Sequence, residues 1–437
     1  MADIVPLGDG MNSSRIRSSV VVLLVALILL TGGCIGTGNT GTQTPTGSER
    51  SSGAVITDTG GLTPPELEKT AIASNDFAFD LYRELSGKDG NLFFSPYSIF
   101  VALSMVYEGA GGRTAEEMRS VLHIPRDELE RREGMRELIL SVDKPASDAY
   151  VLRTANALWV QRGYPVKETY ISILKGFYLS EVRAVDFKND PRGAEKRINR
   201  WAEEQTSGRI GELVSGLSPL TRLVIVNAVY FKANWSSRFN PHNTRNGTFY
   251  TPNGSITTPM MQQEGHFRYT EGEHFQAIEL PYEGDRLSMV IILPERGHLR
   301  EIEGRLTPGL VKGIVEGMKG ENVRVIIPKF KFHKSYLLRD VLVKMGMGRA
   351  FSNDANFSGI SDKPLAISQV IHKTFISVAE NGTEAAAATA VVMTAAAAPG
   401  GEQRYKVFNA DHPFVFLIID GRTGEILFMG RLVNPQG

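Results

Sequence analysis

A nucleophile with its base, a metal-ligand set and a phosphate cradle each need particular residue types at a short, fixed spacing. The chain holds none of the compact forms. It has no GxSxG elbow, no HExxH and no HxE with CxxC. Its eight histidines are His123, His242, His266, His274, His298, His333, His372 and His412, and none pairs with another at metal-ligand spacing. Ser, His and Asp are all present, but spacing assembles no triad from them. Two glycine strings imitate nucleotide loops. GTGNTG at Gly36–Gly41 has no strand before it and no helix after it; GAGGRT at Gly109–Thr114 lacks the P-loop lysine and follows a helix. Enzymatic chemistry is therefore disfavoured. Two features of unusual composition remain: the single cysteine, Cys34, and the stretch Glu380–Pro399, ENGTEAAAATAVVMTAAAAP.

That stretch carries acids only at Glu380 and Glu384, its one glycine is Gly382, and no proline occurs before Pro399. Alanine is the best helix former, so composition alone suggests an Ala-rich helix. Nothing forbids a strand either, because proline, which would remove a ladder donor, is absent. Side chains alternate along a strand. One face would then carry Thr383, Ala385, Ala387, Thr389, Val391 and Met393, all uncharged. The other would carry Glu384, Ala386, Ala388, Ala390, Val392 and Thr394. That pattern suits one buried face and one partly exposed face.

The rest of the chain must position this stretch. A hydrophobic content of 42% and a charged content of 22% describe a globular protein. Forty-eight basic residues balance 48 acidic ones, which argues against nucleic acid as a partner. One cysteine excludes an internal disulfide. Arg15 and Arg17 precede the apolar run Val20–Leu30, too short to span a bilayer, which takes roughly 20 residues. Residues 1–33 are expected to be an export signal, with Met11 as an alternative start. Thr31-Gly32-Gly33-Cys34 resembles a prokaryotic lipobox, although Thr31 stands where a larger aliphatic residue is usual. Lipidation of Cys34 is expected, with plain cleavage or a retained anchor as alternatives. Residues 34–64, rich in Gly, Thr and Ser, are expected to be a flexible tether to a domain spanning 65–437.

Within that domain the periodicities predict helices over Glu66–Leu85, from Ser95-Pro96 to about Glu108, and over Arg126–Val142, Pro191–Thr206, Leu299–Met318 and Leu337–Met345. Arg131, Arg132 and Arg136 lie among acids in the third of these, and a solvated face is expected there rather than a polyanion site. Strands are expected at Ala155–Val160, Val182–Phe187, Leu223–Phe231, Gly247–Tyr250, Phe267–Tyr269, Phe275–Leu280, Leu287–Leu293, Val323–Phe332, Ile367–Ala379, Phe414–Ile419 and Ile426–Arg431. Helices cluster early and strands dominate later, so the fold class is α+β.

Five blocks in order resemble the serpins: NLFFSPYSI from Asn91, NAVYFKANW from Asn227, FQAIELPYEGDRLSMVIILP from Phe275, IHKTFISVAENGTEAAAAT from Ile371, and FNADHPFVFLIIDGRTGEILFMGRLVNP from Phe408. The resemblance implies three β-sheets, about nine helices and an exposed reactive-centre loop. In inhibitory members a protease attacks that loop and forms an acyl-enzyme. The cleaved loop then enters the main sheet as a new strand, and the protease is deformed. About ten new backbone hydrogen bonds plus modest apolar burial would supply on the order of 10–20 kcal/mol.

Family spacing from Gly382 implies Ala396-Ala397 as the scissile bond. The run from Ala397 to Val407 is longer than usual, which leaves Met393, Ala395 and Ala397 as alternatives. Small residues around this bond imply subtilisin-like, elastase-like or chymotrypsin-like serine proteases as partners. Glu380, Gly382, Thr383, Glu384, Ala385, Ala386, Ala387, Ala388 and Thr389 match the hinge. Ser95, Ser98, Asn227 and His372 match the shutter under the sheet, and Trp235, Lys329 and Glu380 match the breach where the loop enters. Neither proline nor charge stands at Ala385 or Ala387, as an inhibitory hinge requires. No cofactor is implied, and a monomer is expected. Asn381-Gly382-Thr383 is also a glycosylation sequon, expected to be unmodified. A non-inhibitory carrier module is the alternative function, and an enzyme with an unrecognised site is a third.

Overall fold

The computed structural model describes residues 64–143, 150–383 and 404–437. The signal and tether segments up to residue 63, Cys34, the hinge positions Glu384–Thr389 and the Ala396-Ala397 bond lie outside the described residues. Among the described residues no helix is long and apolar enough to cross a membrane.

Nine α-helices are described: α1 (Pro65–Ser86), α2 (Pro96–Tyr107), α3 (Gly112–Leu122), α4 (Glu128–Asp143), α5 (Glu168–Phe177), α6 (Pro191–Gln205), α7 (Leu299–Arg305), α8 (Pro308–Gly317) and α9 (Arg339–Met345). The most buried is α2, with eleven of its twelve residues in the core, Pro96–Val106. Its sequence is apolar on all sides, as a helix enclosed on all sides requires. It starts where the Ser95 hydroxyl accepts from the Ser98 amide (3.3 Å) and Pro96 fills the first turn.

The main sheet has six strands: β2 (Tyr150–Gln161), β3 (Val182–Val185), β4 (Leu223–Asn234), β10 (Phe330–Leu337), β11 (Gln369–Ala379) and β12 (Gly382–Thr383), in the order β10-β11-β12-β4-β2-β3. The first nine residues of β4 are all buried, which explains their unbroken apolar run. Long antiparallel ladders join β4 to β2 and β10 to β11. Between β4 and β11 the pairing is parallel and limited to Val224–Val229 against Gln369–Thr374. Beyond it the two strands part, and at the far end β12 lies antiparallel to both.

The remaining nine strands are β1 (Leu92–Phe94), β5 (Arg245–Thr251), β6 (Gly254–Gly272), β7 (Phe275–Pro281), β8 (Leu287–Pro294), β9 (Lys319–Pro328), β13 (Lys406–Asn409), β14 (Phe414–Asp420) and β15 (Ile426–Leu432). They form one hydrogen-bonded network. The 19-residue β6 divides it, pairing with β5 and β9 along its first part and with β7 at its end. The three expected sheets are thus the main sheet and two that share β6. The fold class is α+β, as expected.

Several elements differ from the sequence reading. The helix expected over Leu299–Met318 is two, α7 and α8, because Thr307 caps a new start at Pro308. The strand expected over Val323–Phe332 is also two. It breaks after Pro328, and its halves join different sheets. Arg131 and Arg132 form neither a solvated face nor an open polyanion site. Both grip Glu108 (2.9 and 2.8 Å), whose carboxylate is fully buried and also accepts from the Tyr178 hydroxyl.

Candidate functional site: the sheet opening and its hinge

β11 ends at Ala379, the chain turns through Glu380 and Asn381, and β12 runs back between β11 and β4. The segment after β4 clamps every carbonyl of this turn. The Trp235 indole donates to the Ala379 carbonyl (3.0 Å), the Trp235 amide to Asn381 (2.9 Å) and the Phe239 amide to Glu380 (2.9 Å). Trp235 is itself buried and stacks on Tyr282, with ring centroids 4.6 Å apart and planes 9° from parallel.

Glu380 binds Lys329 Nζ through both oxygens (2.8 and 3.0 Å) and accepts from Thr244 Oγ1 (2.9 Å). Burial alone would raise its carboxyl, but these donors outweigh it and hold the group below its ordinary value. The three expected breach residues, Trp235, Lys329 and Glu380, therefore meet around one turn.

Gly382 has φ +148°, and a Cβ there would stand 2.0 Å from the Ala233 carbonyl oxygen. Only glycine fits that close backbone approach. Thr383 follows, buried, its hydroxyl 2.7 Å from that of Tyr282. Of the expected hinge positions, Glu380, Gly382 and Thr383 are described, and Gly382 and Thr383 are already in the sheet.

Deeper in the sheet, Ser95, Ser98, Asn227 and His372 also come together. His372 and Asn227 stand opposite each other across the β11–β4 ladder. The Ser95 amide points at His372 Nε2 (3.0 Å). An amide can only donate, so Nε2 accepts, and the ring proton sits on Nδ1 and is donated to Asn227 Oδ1. The Asn227 amide group then donates to Ser98 Oγ and Asn156 Oδ1, while Ser98 Oγ donates to Asn156 Oδ1 (2.9 Å). Ser95 Oγ donates to the Leu427 carbonyl (2.7 Å), tying the network to β15.

Burial holds the His372 imidazole down at about 3, against an ordinary value of 6.5. The unfolded chain therefore binds a proton that the folded one refuses. Stability contributed by neutral His372 is full above pH 6.5 and falls toward pH 3, by up to about 1.4 kcal/mol per unit. Denaturant unfolding from pH 7 to 4 is expected to show this slope, and His372→Gln to flatten it. Equal slopes in the two proteins would contradict the assignment.

Sequence reasoning missed Asn156, Thr244 and Tyr282. Asn156 is a polar residue inside an apolar strand, a signal that was available. Tyr282 stands within the quoted block from Phe275, but its link to Thr383 crosses 101 positions. The histidine spacing also misled: the fold stacks His274 on His298, with centroids 4.2 Å apart.

The fold and this site define an α+β protein whose main sheet is open at one end around a two-residue, glycine-hinged strand. The chain belongs to the serpin family: the family model, Serpin (serine protease inhibitor), matches residues 72–435. It is 53% identical over 424 residues to an uncharacterized serpin-like protein of Thermococcus kodakarensis, covering 95% of this chain and 99% of that one. Among solved structures it resembles Serpin48, a highly specific serpin of the insect Tenebrio molitor (33% identity, TM-score 0.76, 85% and 100% covered). It also resembles human thyroxine-binding globulin with bound thyroxine (30% identity, TM-score 0.78, 85% and 100% covered). Members of the family are generally protease inhibitors and not enzymes.

Proposed function

We propose that this protein is an inhibitory serpin that traps subtilisin-like, elastase-like or chymotrypsin-like serine proteases through a loop cut at Ala396-Ala397. The protease serine Oγ attacks the Ala396 carbonyl, the peptide bond breaks, Ala397 departs with a free amine, and Ala396 remains as an ester. The cleaved loop then enters the main sheet faster than water reaches the ester.

The observation that carries this reading is the register of β12. Thr383 lies opposite Val378 of β11 and Ala233 of β4. Each further loop residue would move one position back along both strands. Glu384, Ala385 and Ala386 would fall where β11 and β4 do not pair with each other. From Ala387 onward the loop would have to part their ladder, beginning at Thr374 and Val229. Six positions beyond Thr383, Thr389 would arrive between His372 and Asn227. The hydrogen bond joining that pair is thus the lock that full insertion breaks. One strand interface is exchanged for two, which is the source of the free energy that deforms the protease.

The test is incubation with subtilisin, elastase, chymotrypsin and trypsin, read on denaturing gels. A covalent band that survives SDS, with a new N-terminus at Ala397, is expected for all but trypsin. Complete cleavage without such a band would favour a second reading, a non-inhibitory carrier, which the likeness to thyroxine-binding globulin supports.

Export and a lipid anchor on Cys34 belong to the same proposal: they would hold the inhibitor at the outer face of the membrane. Full-length protein from a lipoprotein-processing host is expected in the detergent phase, and Cys34→Ser in the aqueous phase. Equal partition of the two would remove the anchor.

A further inference from the structure

Far from the hinge in sequence, three residues converge that the inhibitory reading does not use. His274 sits in the turn between β6 and β7, Glu295 follows β8, and His298 caps α7. Each offers one ligand atom, and these atoms lie within 4.8 Å of one another. Backbone bonds fix the three: the Glu295 amide donates to the His274 carbonyl (2.8 Å), and the His298 amide to the Glu295 carbonyl (2.9 Å). The two imidazoles are stacked 10° from parallel.

We propose that His274, Glu295 and His298 form a site for a divalent transition-metal ion of the zinc or cobalt class. Two imidazoles and a carboxylate are a common zinc ligand set, and a fourth position would remain for water. His298 already has a carboxylate on Nδ1, that of Glu301 (2.8 Å), and Glu295 Oε2 stands 2.9 Å from His274 Nδ1. A carboxylate that fixes the tautomer and aims the other nitrogen is the usual outer support of a metal-bound histidine.

The carboxylates of Glu295, Glu301 and Glu273 surround the two rings with negative charge. Arg305, paired with Glu301 (3.4 Å) and Glu273 (3.6 Å), is the opposing cation. His274 has φ +61°, a left-handed conformation that is uncommon for a residue with a side chain. The side chains are partly exposed, 40% for His274 and 36% for His298, so an ion can reach them from solvent. A bound ion would staple the β6–β7 turn to the end of β8 and the start of α7.

The test is titration of the full chain with Co2+, followed by its visible d–d absorption, with Zn2+ as competitor. One equivalent per chain, displaced by Zn2+, is expected. His274→Asn suits the variant arm, because Asn tolerates the left-handed backbone and removes the imidazole. His274→Asn and His298→Gln are each expected to weaken cobalt binding at least tenfold, while His242→Ala leaves it unchanged. Absence of cobalt bands in the unmodified protein would overturn the site. So would bands that persist at unchanged affinity in both His274→Asn and His298→Gln with unaltered circular dichroism.

Discussion

Thr383→Arg is expected to turn the protein from a trap into a substrate. Thr383 is 2% exposed, and its hydroxyl meets that of Tyr282 beneath the sheet at 2.7 Å. An arginine there would either carry an unpaired charge into the core or hold β12 out of the sheet. Burying an uncompensated charge costs several kcal/mol, and each 1.4 kcal/mol is tenfold in a rate. Further insertion would extend from this residue, which is already in the sheet, so the ratio of trapped to hydrolysed protease should fall at least about 100-fold. The rate of loop cleavage should not change. Thr383→Ser keeps the bond to Tyr282 and is expected to retain most of the trapping. Equal trapping by the arginine variant would mean that this residue does not lead insertion.

Asn227→Ala is expected to have the second largest effect, on stability. It leaves the His372 Nδ1–H without its acceptor and Ser98 Oγ without its donor, and it removes one of the two donors to Asn156 Oδ1, all in or beside the core. A buried polar group left unsatisfied costs about 1–3 kcal/mol, so a total of about 3–5 kcal/mol is expected by denaturant unfolding. Full insertion separates His372 from Asn227, so the inserted form should lose less. The gap between the two forms then widens, and inhibitory activity should decay faster on warming than in the unaltered protein. A change under about 0.5 kcal/mol would place the lock elsewhere.

The elements that could be read from sequence were those whose cause is local. Ser95-Pro96 announced α2 because a capping hydroxyl and a first-turn proline act within four residues. The apolar run from Leu223 announced β4 because burial on both faces needs no partner to be named. Pairings across distance were not legible in this way. Val323–Phe332 has uniform strand character, and nothing local says that Pro328 closes one sheet and Phe330 opens another. The mixed charge of α4 looked solvated because Glu108, the acceptor for Arg131 and Arg132, lies more than twenty residues away. His274 and His298 looked isolated for the same reason. The β7–β8 hairpin folds between them and returns the chain to its start. At the hinge, block resemblance identified Trp235, Lys329 and Glu380, but it could not supply the carbonyl clamp around Ala379–Asn381. That clamp depends on where β4 ends relative to β11.

The most direct measurement compares unfolding of the intact protein with that of protein cleaved at Ala396-Ala397, under identical conditions. If the open end of the main sheet stores free energy that the loop releases on entry, the cleaved form should be more stable by about 10–20 kcal/mol. It should remain folded in denaturant that unfolds the intact form completely. Coincident unfolding of the two would show that cleavage liberates nothing, and a protein without that reserve could not hold a protease.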